Sequence, residues 1–380
     1  MRVSFSQLSG STGFEPTFDL TAATEMALIP VCCDGGTAIE FGEPSDKCRV
    51  KSILRVHNSS FHFKIAAEAD IGLANAYIKE YFSFEDQEQG LLDFLLSNEF
   101  FSLFLDETMS YSCGMFKTED EDLKTAQLNK IYSLIDKARV NNEHAVLEIG
   151  CGWGSLAIEL MTRTGCSYTG NTLSEEQLKY AERKVKEAGL EDNIKFLLCD
   201  YRQVPCSRKF DRIISCEMIE HVGHEYMEEF FSCCESLLAE DSLLVLQYSS
   251  MPDNRYDKNR RSSDFTKEYI FPGCCIPSLS RITSAMSTSS NLCVEHVENI
   301  GIHYHPTLLR WRSKFATNKQ KIMRLGFDER FIRMWDYYFV YCMAGFKSRT
   351  LGNYQMVFSR PGNTKALGDH PAFPSKPKFS

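Results

Sequence analysis

Several features are missing or scarce in this chain, and each absence removes a class of protein. No C-x-x-C pair occurs among its fifteen cysteines, so the ligand spacing of a zinc ribbon is not there and no metal site is expected. The count is odd and several cysteines are adjacent, as at Cys32-Cys33, Cys233-Cys234 and Cys274-Cys275. A disulfide framework is disfavoured in a chain this long with no secretion signal at its start, and most thiols are expected to be buried in a reducing compartment. No apolar stretch approaches the roughly 18 residues of a membrane-spanning helix. The expected location is cytoplasmic, with a peripheral place on a membrane surface left open. Positive charge is short: 42 Lys and Arg stand against 51 Asp and Glu, for a net charge of −9. A general nucleic-acid binder depends on phosphate contacts and is disfavoured. The dinucleotide fingerprint G-x-G-x-x-G is missing too, because Ser155 stands where its third glycine would be. That disfavours a dehydrogenase.

What is present centres on Ala145 to Thr162, AVLEIGCGWGSLAIELMT. An apolar run with β character breaks at Gly150-Cys151-Gly152-Trp153-Gly154, then resumes with helical spacing at Leu156, Ile158, Leu160 and Met161. Glycines let a backbone approach a ligand closely, and a helix start offers free N–H groups. Glu148, at the end of the strand, suits a ligand with a cationic amino group better than a pyrophosphate. Read alone, the stretch could also be a tight strand-to-helix turn with no ligand. G-x-G-x-G after a strand ending in Glu-Ile-Gly resembles the first motif of S-adenosylmethionine-dependent methyltransferases.

The surrounding chain alternates strand and helix. Strands are expected at 145–149, 167–170, 194–199, 211–216, 243–248, 293–300 and 354–359. Between them come a helix to about Thr164 with Gly165 as C-cap, and a charged helix opened by the capping box Ser174-Glu175-Glu176-Gln177. The pattern predicts an α/β fold with a doubly wound, mostly parallel seven-stranded sheet. Ligands in such sheets sit at the carboxyl ends of the strands. Asn171-Thr172-Leu173, Asp200-Tyr201-Arg202 and Glu217 fall on that rim. Residues 1–60 carry weak alternation around Lys51–His57 and no assigned chemistry. A helical cap is expected over 61–140, including a dense apolar helix at Leu91–Leu105 and an amphipathic one at Asp122–Arg139. The core domain is expected over 141–362, interrupted at about 251–290 by an insertion, and 363–380 reads as a loose tail.

Seven segments then occur in order: VLEIGCGWG, YTGNTLSEEQLKYAE, DYRQVP, FDRIISCEMIEHVGH, YIFPGCCIPS, GIHYHPTLLRW and RFIRMWDYYFVYCMAGF. Together they resemble cyclopropane-fatty-acyl-phospholipid synthases, a family that includes the mycolic acid cyclopropane synthases, and most closely the plant branch. The likeness covers roughly residues 50–362. It implies the class I S-adenosylmethionine-dependent methyltransferase fold with helical insertions. It also implies transfer of a methylene group to the cis double bond of an unsaturated phospholipid acyl chain, with enzyme-bound bicarbonate taking the proton. The family's catalytic positions fall on Cys113, Glu220, Tyr304 and Cys342, and its cofactor contacts on Tyr111, Ser112, Glu148, Gly150, Cys151, Gly152, Gly154, Thr172, Leu173, Gln177, Tyr201 and Arg202.

Two positions depart from the family pattern. Gln247 stands where the family has a strand-five histidine; it can donate an N–H to an anion but cannot carry a proton charge. Asp93-Phe94-Leu95 stands where relatives have His-Tyr-Asp before Ser97-Asn98-Glu99. Tyr269, Phe271, Tyr304 and Tyr337 are candidate pocket walls, although core packing is the ordinary role of any single aromatic. The basic residues Arg255, Lys258, Arg260, Arg261, Arg310 and Arg312 suit either a solvated face or lipid phosphates. Two other readings stay open: a lipid methyltransferase that leaves a methyl branch, and a non-catalytic relative that binds cofactor or membrane. A homodimer also stays open.

Overall fold

The computed structural model describes residues 98–205, 209–325, 327 and 329–367, with the backbone of six short strands between residues 2 and 84. The chain divides into two units, residues 105–312 with 338–380 and residues 1–104 with 313–337.

The first unit is built on one sheet. Its strands are β1 (Ala145–Ile149), β2 (Ser167–Thr172), β3 (Ile194–Leu198), β4 (Phe210–Cys216), β5 (Leu238–Ser250), β6 (Cys293–Asn299) and β7 (Gly352–Ser359), in the order β6-β7-β5-β4-β1-β2-β3. Only β7 runs antiparallel to its neighbours, so the sheet is the mostly parallel, seven-stranded one the alternation predicts. Successive side chains of a strand point to opposite faces. Leu147, Ile149, Ile213, Leu244 and Leu246 therefore enter one core, while Val146, Ile214, Val245 and Val357 enter the other. Burial on both faces is why β1, β4 and β5 read as continuous apolar runs.

Helices cover both faces. Helix α1 (Leu123–Ala138) starts at Asp122, whose carboxylate accepts the Thr125 N–H at 2.7 Å, and stops at Arg139 in the left-handed region. Helix α2 (Ser155–Thr164) follows the glycine turn and ends at Gly165 with φ +67°, the C-cap expected from sequence. Helix α3 (Glu175–Glu187) is capped by Ser174, which accepts the Gln177 N–H. Helix α4 (Met227–Leu237) packs on α5 (Leu279–Ser289), whose Ile282 and Ala285 are fully buried. The segment 251–290 is thus an insertion only in its first part, where short helices Asp253–Arg260 and Phe265–Tyr269 lie; its end is a core helix. The serine-rich sequence of α5 hid that. After β6 come two helices, α6 (Tyr304–Thr317) and a short helix Lys319–Arg324, separated at Asn318. A longer helix, α7 (Glu329–Lys347), precedes β7.

The tail begins later than expected. Thr364–Leu367 forms a helical turn, Ala366 is buried, and Asn363 Nδ2 donates to the Ser242 carbonyl at 3.0 Å.

In the second unit, Val31–Cys33, Thr37–Ile39, Leu54–Val56 and Phe82–Phe84 form a four-stranded sheet, and Leu54–Val56 lies within the alternating stretch Lys51–His57. The short helix Asn98–Ser102 is all that is described of the apolar helix expected over 91–105; residues 91–97, with Asp93-Phe94-Leu95, lie outside the described residues. Phe100 sits edge-on to Trp335 at 4.8 Å and to Phe331 at 5.3 Å, and Phe104 to Phe315 at 6.3 Å. Aromatic edges meeting ring faces hold this cluster together.

Candidate active site

The order of the sheet reverses between β1 and β4, and crevices of α/β sheets open at such a point. The glycine turn forms one wall. Gly150, Gly152 and Gly154 all have positive φ, and the N–H groups of Gly150 and Cys151 are tied to the Asn171 carbonyl at 3.2 and 2.9 Å. A Cβ on Gly154 would lie 2.9 Å from that of Ala181, so this glycine is required by packing. A Cβ on Gly152 would meet nothing within 4 Å, so that glycine faces open space on the rim. Beside it, the buried Asn171 Oδ1 has no hydrogen-bond partner among the described residues.

The other rim residues of β1 to β3 lie where sequence placed them, with differing freedom. Thr172 Oγ1 donates to Gln177 Oε1 at 2.9 Å, and Leu173 stands 61% exposed at the strand end. The Cys151 side chain is buried, so this residue offers only backbone. The Glu148 carboxylate accepts the Tyr168 hydroxyl, and burial pushes it up to about 7 against that hydrogen bond. Arg202 is held by Asp200 through Nε at 2.8 Å and by Glu229 at 3.3 Å, while Tyr201 packs edge-on to Phe230.

Across the switch point, β4 ends at Cys216 and the next residue, Glu217, takes φ +52°. Four donors converge on its carboxylate. Oε1 accepts the Cys113 N–H at 3.0 Å, Gln247 Nε2 at 2.9 Å and Asn353 Nδ2 at 2.7 Å; Oε2 accepts the Tyr304 hydroxyl at 2.7 Å. The structure therefore gathers three of the five expected catalytic residues, Cys113, Gln247 and Tyr304, around a carboxylate that was not among them. Cys113 takes part through its backbone, because its thiol turns to the carbonyls of Gly114 and Ile300.

Glu220 lies close by. Its Oε1 accepts the Ser249 N–H at 2.6 Å, and Oε2 is buried without a partner among the described residues. Burial, then the neighbouring Glu217 charge, pushes this carboxyl up to about 8. Asn353 Nδ2 links the two sites, reaching Ser249 Oγ at 3.3 Å.

The loop Tyr111-Ser112-Cys113 bridges the glycine turn and the nest. Ser110 Oγ meets Ser155 Oγ at 3.3 Å at the start of α2. From α1, Gln127 Nε2 donates to the Ser112 carbonyl at 2.7 Å and buried Lys130 Nζ to Ser112 Oγ at 2.9 Å. Aromatic rings close the remaining side. Tyr304 stacks on Phe346 at 4.3 Å and stands edge-on to Trp311; Tyr111 meets Trp311 at 5.1 Å and Phe271 at 6.1 Å, and its hydroxyl lies 3.0 Å from that of Tyr338. Cys342 follows Tyr338 by one helical turn, beside this pair, and burial pushes its thiol up to about 12. Phe271 and Tyr304 are thus wall residues, whereas Tyr269 and Tyr337 are exposed. Arg310 lies over the Phe116 ring and donates to the carbonyls of Glu119 and Glu121, a structural clamp and not a free basic site.

The sequence profile of the family described as mycolic acid cyclopropane synthetase matches residues 85–356. The chain belongs to the mycolic acid cyclopropane synthetase family. A family relative, the tuberculostearic acid methyltransferase UfaA1 of Mycobacterium tuberculosis, is 38% identical over 70% of this chain and 64% of its own length. The cyclopropane-fatty-acyl-phospholipid synthase of Escherichia coli K12 is 35% identical over 70% of this chain and 66% of its own. The chain thus spans just under two thirds of these relatives. The structure of the cyclopropane synthase MmaA2 from Mycobacterium tuberculosis superposes with a TM-score of 0.64 at 25% identity, covering 70% of this chain and 95% of that one. The fold is that of the class I S-adenosylmethionine-dependent methyltransferases.

The sequence placed Glu217 on the rim without a role and gave no sign of Asn353 or Lys130. Glu217 had a signal, its place directly after β4 on the rim. Asn353 had none, because it comes from the antiparallel β7, far along the chain. The bicarbonate expected from the family resemblance does not fit this nest: the donors that would hold it are already given to the Glu217 carboxylate.

Proposed function

We propose that this chain transfers a one-carbon unit from S-adenosyl-L-methionine to the cis double bond of an unsaturated phospholipid acyl chain, giving a cyclopropane. The observation that carries the reading is a carboxylate nest walled by aromatic rings directly across the switch point from an open glycine turn. The cofactor site fits the residues present. The turn at Gly152 leaves room for a ligand, the ten-residue helix α2 presents its N-terminus there, and Asn171 Oδ1, without a partner among the described residues, is a buried acceptor for an ammonium or hydroxyl. Thr172, Leu173 and Gln177 line the rim for a nucleoside, and Tyr111 and Ser112 approach from the other side. When bound, the cofactor supplies an electrophilic methyl group on a sulfonium.

An alkene is a weak nucleophile, so water must be kept from the site while charge develops. Tyr304, Phe271 and Tyr111 offer ring faces that stabilise a cation without attacking it. The Glu217 carboxylate, held by four donors, offers a counter-charge to that cation. Among the described residues no helix is long and apolar enough to cross a membrane. The acyl chain would be taken from a bilayer at its surface, and the exposed Tyr341 beside Phe265 suits that contact.

A second reading is favoured by the relatives, since the match to a tuberculostearic acid methyltransferase, at 38%, exceeds that to the cyclopropane synthase of Escherichia coli, at 35%. It is a lipid methyltransferase that leaves a methyl branch. Incubation with dioleoyl phospholipid vesicles and donor labelled with a trideuterated methyl separates the two. Two retained deuteriums in a ring product support the first reading; a branched, still unsaturated chain, in which the cation sheds a proton from an adjacent chain carbon and keeps all three deuteriums, supports the second. Donor binding with no lipid product would overturn both.

A further inference from the structure

Glu217 has a backbone that ordinarily favours glycine. At φ +52° a residue with a Cβ carries strain, and such strain is retained where a side chain is needed in one place. Its carboxylate is gripped by Cys113, Gln247, Asn353 and Tyr304, and the grip has a direction. Lys137 can only donate, and its Nζ meets Gln355 Oε1. Gln355 Nε2 then donates to Gln247 Oε1 at 2.8 Å, which leaves Gln247 Nε2 to face Glu217 at 2.9 Å. The buried ammonium thus fixes both amides so that the nest presents N–H groups. That arrangement takes an anion, and the chain supplies one.

The two carboxylate oxygens are not equivalent. Oε1 receives three donors and has no lone pair to spare, whereas Oε2 receives the Tyr304 hydroxyl alone among the described residues. Oε2 therefore keeps a free lone pair next to the aromatic wall formed by Tyr304 and Phe346.

We propose that Glu217 is the catalytic base of this enzyme, a covalently attached replacement for the bicarbonate its resemblance implies, with Oε2 as the proton acceptor. The assignment rests on the reaction proposed above. The π pair of the alkene forms a bond to the methyl carbon as the carbon–sulfur bond breaks, its electron pair leaving with sulfur. A C–H bond of the transferred methyl group then breaks; the proton goes to Glu217 Oε2 and the bonding pair closes the ring. One alkene and one sulfonium give one cyclopropane, one thioether and one proton, which Glu217 releases to solvent before the next turnover. A proton beside a carbocation is very acidic, so position matters more than basicity.

The test compares the whole chain with Glu217→Gln and Glu217→Gly on dioleoyl phospholipid vesicles, in carbonate-free buffer and with added bicarbonate. The parent rate is expected to stay within about twofold when bicarbonate is removed. Glu217→Gln is expected to lose about 100-fold or more. Glu217→Gly suits the backbone and opens the nest, so bicarbonate should restore part of its rate. Carbon-13 bicarbonate binding, followed by infrared difference spectra with no lipid present, should be seen for Glu217→Gly and not for the parent. A parent rate that collapses without bicarbonate, or parent protein that binds bicarbonate at this site, overturns the assignment. If the parent makes no lipid product at all, the proposed reaction fails, and the infrared comparison still decides what fills the nest.

Discussion

Gln247 Nε2 lies 2.9 Å from Glu217 Oε1, and this contact joins a departure from the family pattern to a residue that the sequence placed on the rim without a role. An amide that always offers an N–H suits a carboxylate that is always present. Replacing Gln247 by Leu would remove one hydrogen bond to a charged group, worth about 1.5–3 kcal/mol. Turnover is expected to fall by about 10- to 100-fold, with a lower melting temperature, as read by product formation and thermal unfolding.

Tyr304→Phe is a milder test of the same nest. The ring stays stacked on Phe346, and only the hydroxyl to Glu217 Oε2 is lost. The fold should be nearly unchanged in circular dichroism, while kcat falls about 10-fold or more. Equal losses in stability and rate would argue that the hydroxyl is structural.

The glycine turn allows two positions to be told apart. Gly154→Ala puts a methyl group 2.9 Å from Ala181 Cβ at φ +84°, so it should cost more than the roughly 1–2 kcal/mol of a left-handed backbone alone. Gly152→Ala meets no protein atom within 4 Å and should cost no more than that strain. In the proposed cofactor site its added methyl group would take up space meant for the ligand. Calorimetry should show S-adenosylmethionine binding lost in Gly152→Ala while the melting temperature changes little.

Buried carboxyls set the pH dependence of stability. Glu220 is pushed from 4.5 up to about 8, and Glu148 from 4.5 up to about 7, in each case first by burial. A raised folded value means the folded state holds the proton longer than the unfolded chain does. These groups stabilise most fully below pH 4.5, and their contribution is lost as pH rises through 7 and 8. Glu220→Gln, which mimics the protonated form, should flatten the fall in melting temperature between pH 5 and pH 8. An unchanged slope would show that Glu220 is already ionised at neutral pH.

Lys137 acts at a distance from the carboxylate. Its ammonium orients Gln355 and through it Gln247, and it pairs with Glu298 at 2.6 Å. Lys137→Met should free both amides to flip, giving a rate loss smaller than that of Gln247→Leu. Rescue by Lys137→Arg would indicate that a fixed donor is what matters.

The sequence by itself determined the sheet. Apolar runs such as Ala145–Ile149 and Leu243–Leu246 must be buried on both faces, and Ser174 and Gly165 mark helix ends through local backbone chemistry. It also placed Thr172, Arg202 and Glu217 on the rim, because position after a parallel strand is readable one residue at a time, whereas Glu220 and Tyr304 were named only through the family resemblance. Helix α5 was hidden, since four serines among its eleven residues mask an apolar stripe that only packing on α4 reveals. Tertiary structure alone decided the nest. Cys113, Glu217, Gln247, Tyr304 and Asn353 come from five segments, and no local pattern says that their donors meet on one carboxylate. Convergence is a property of strand order and register, and an antiparallel β7 beside β5 is what brings Asn353 and Gln355 to the site.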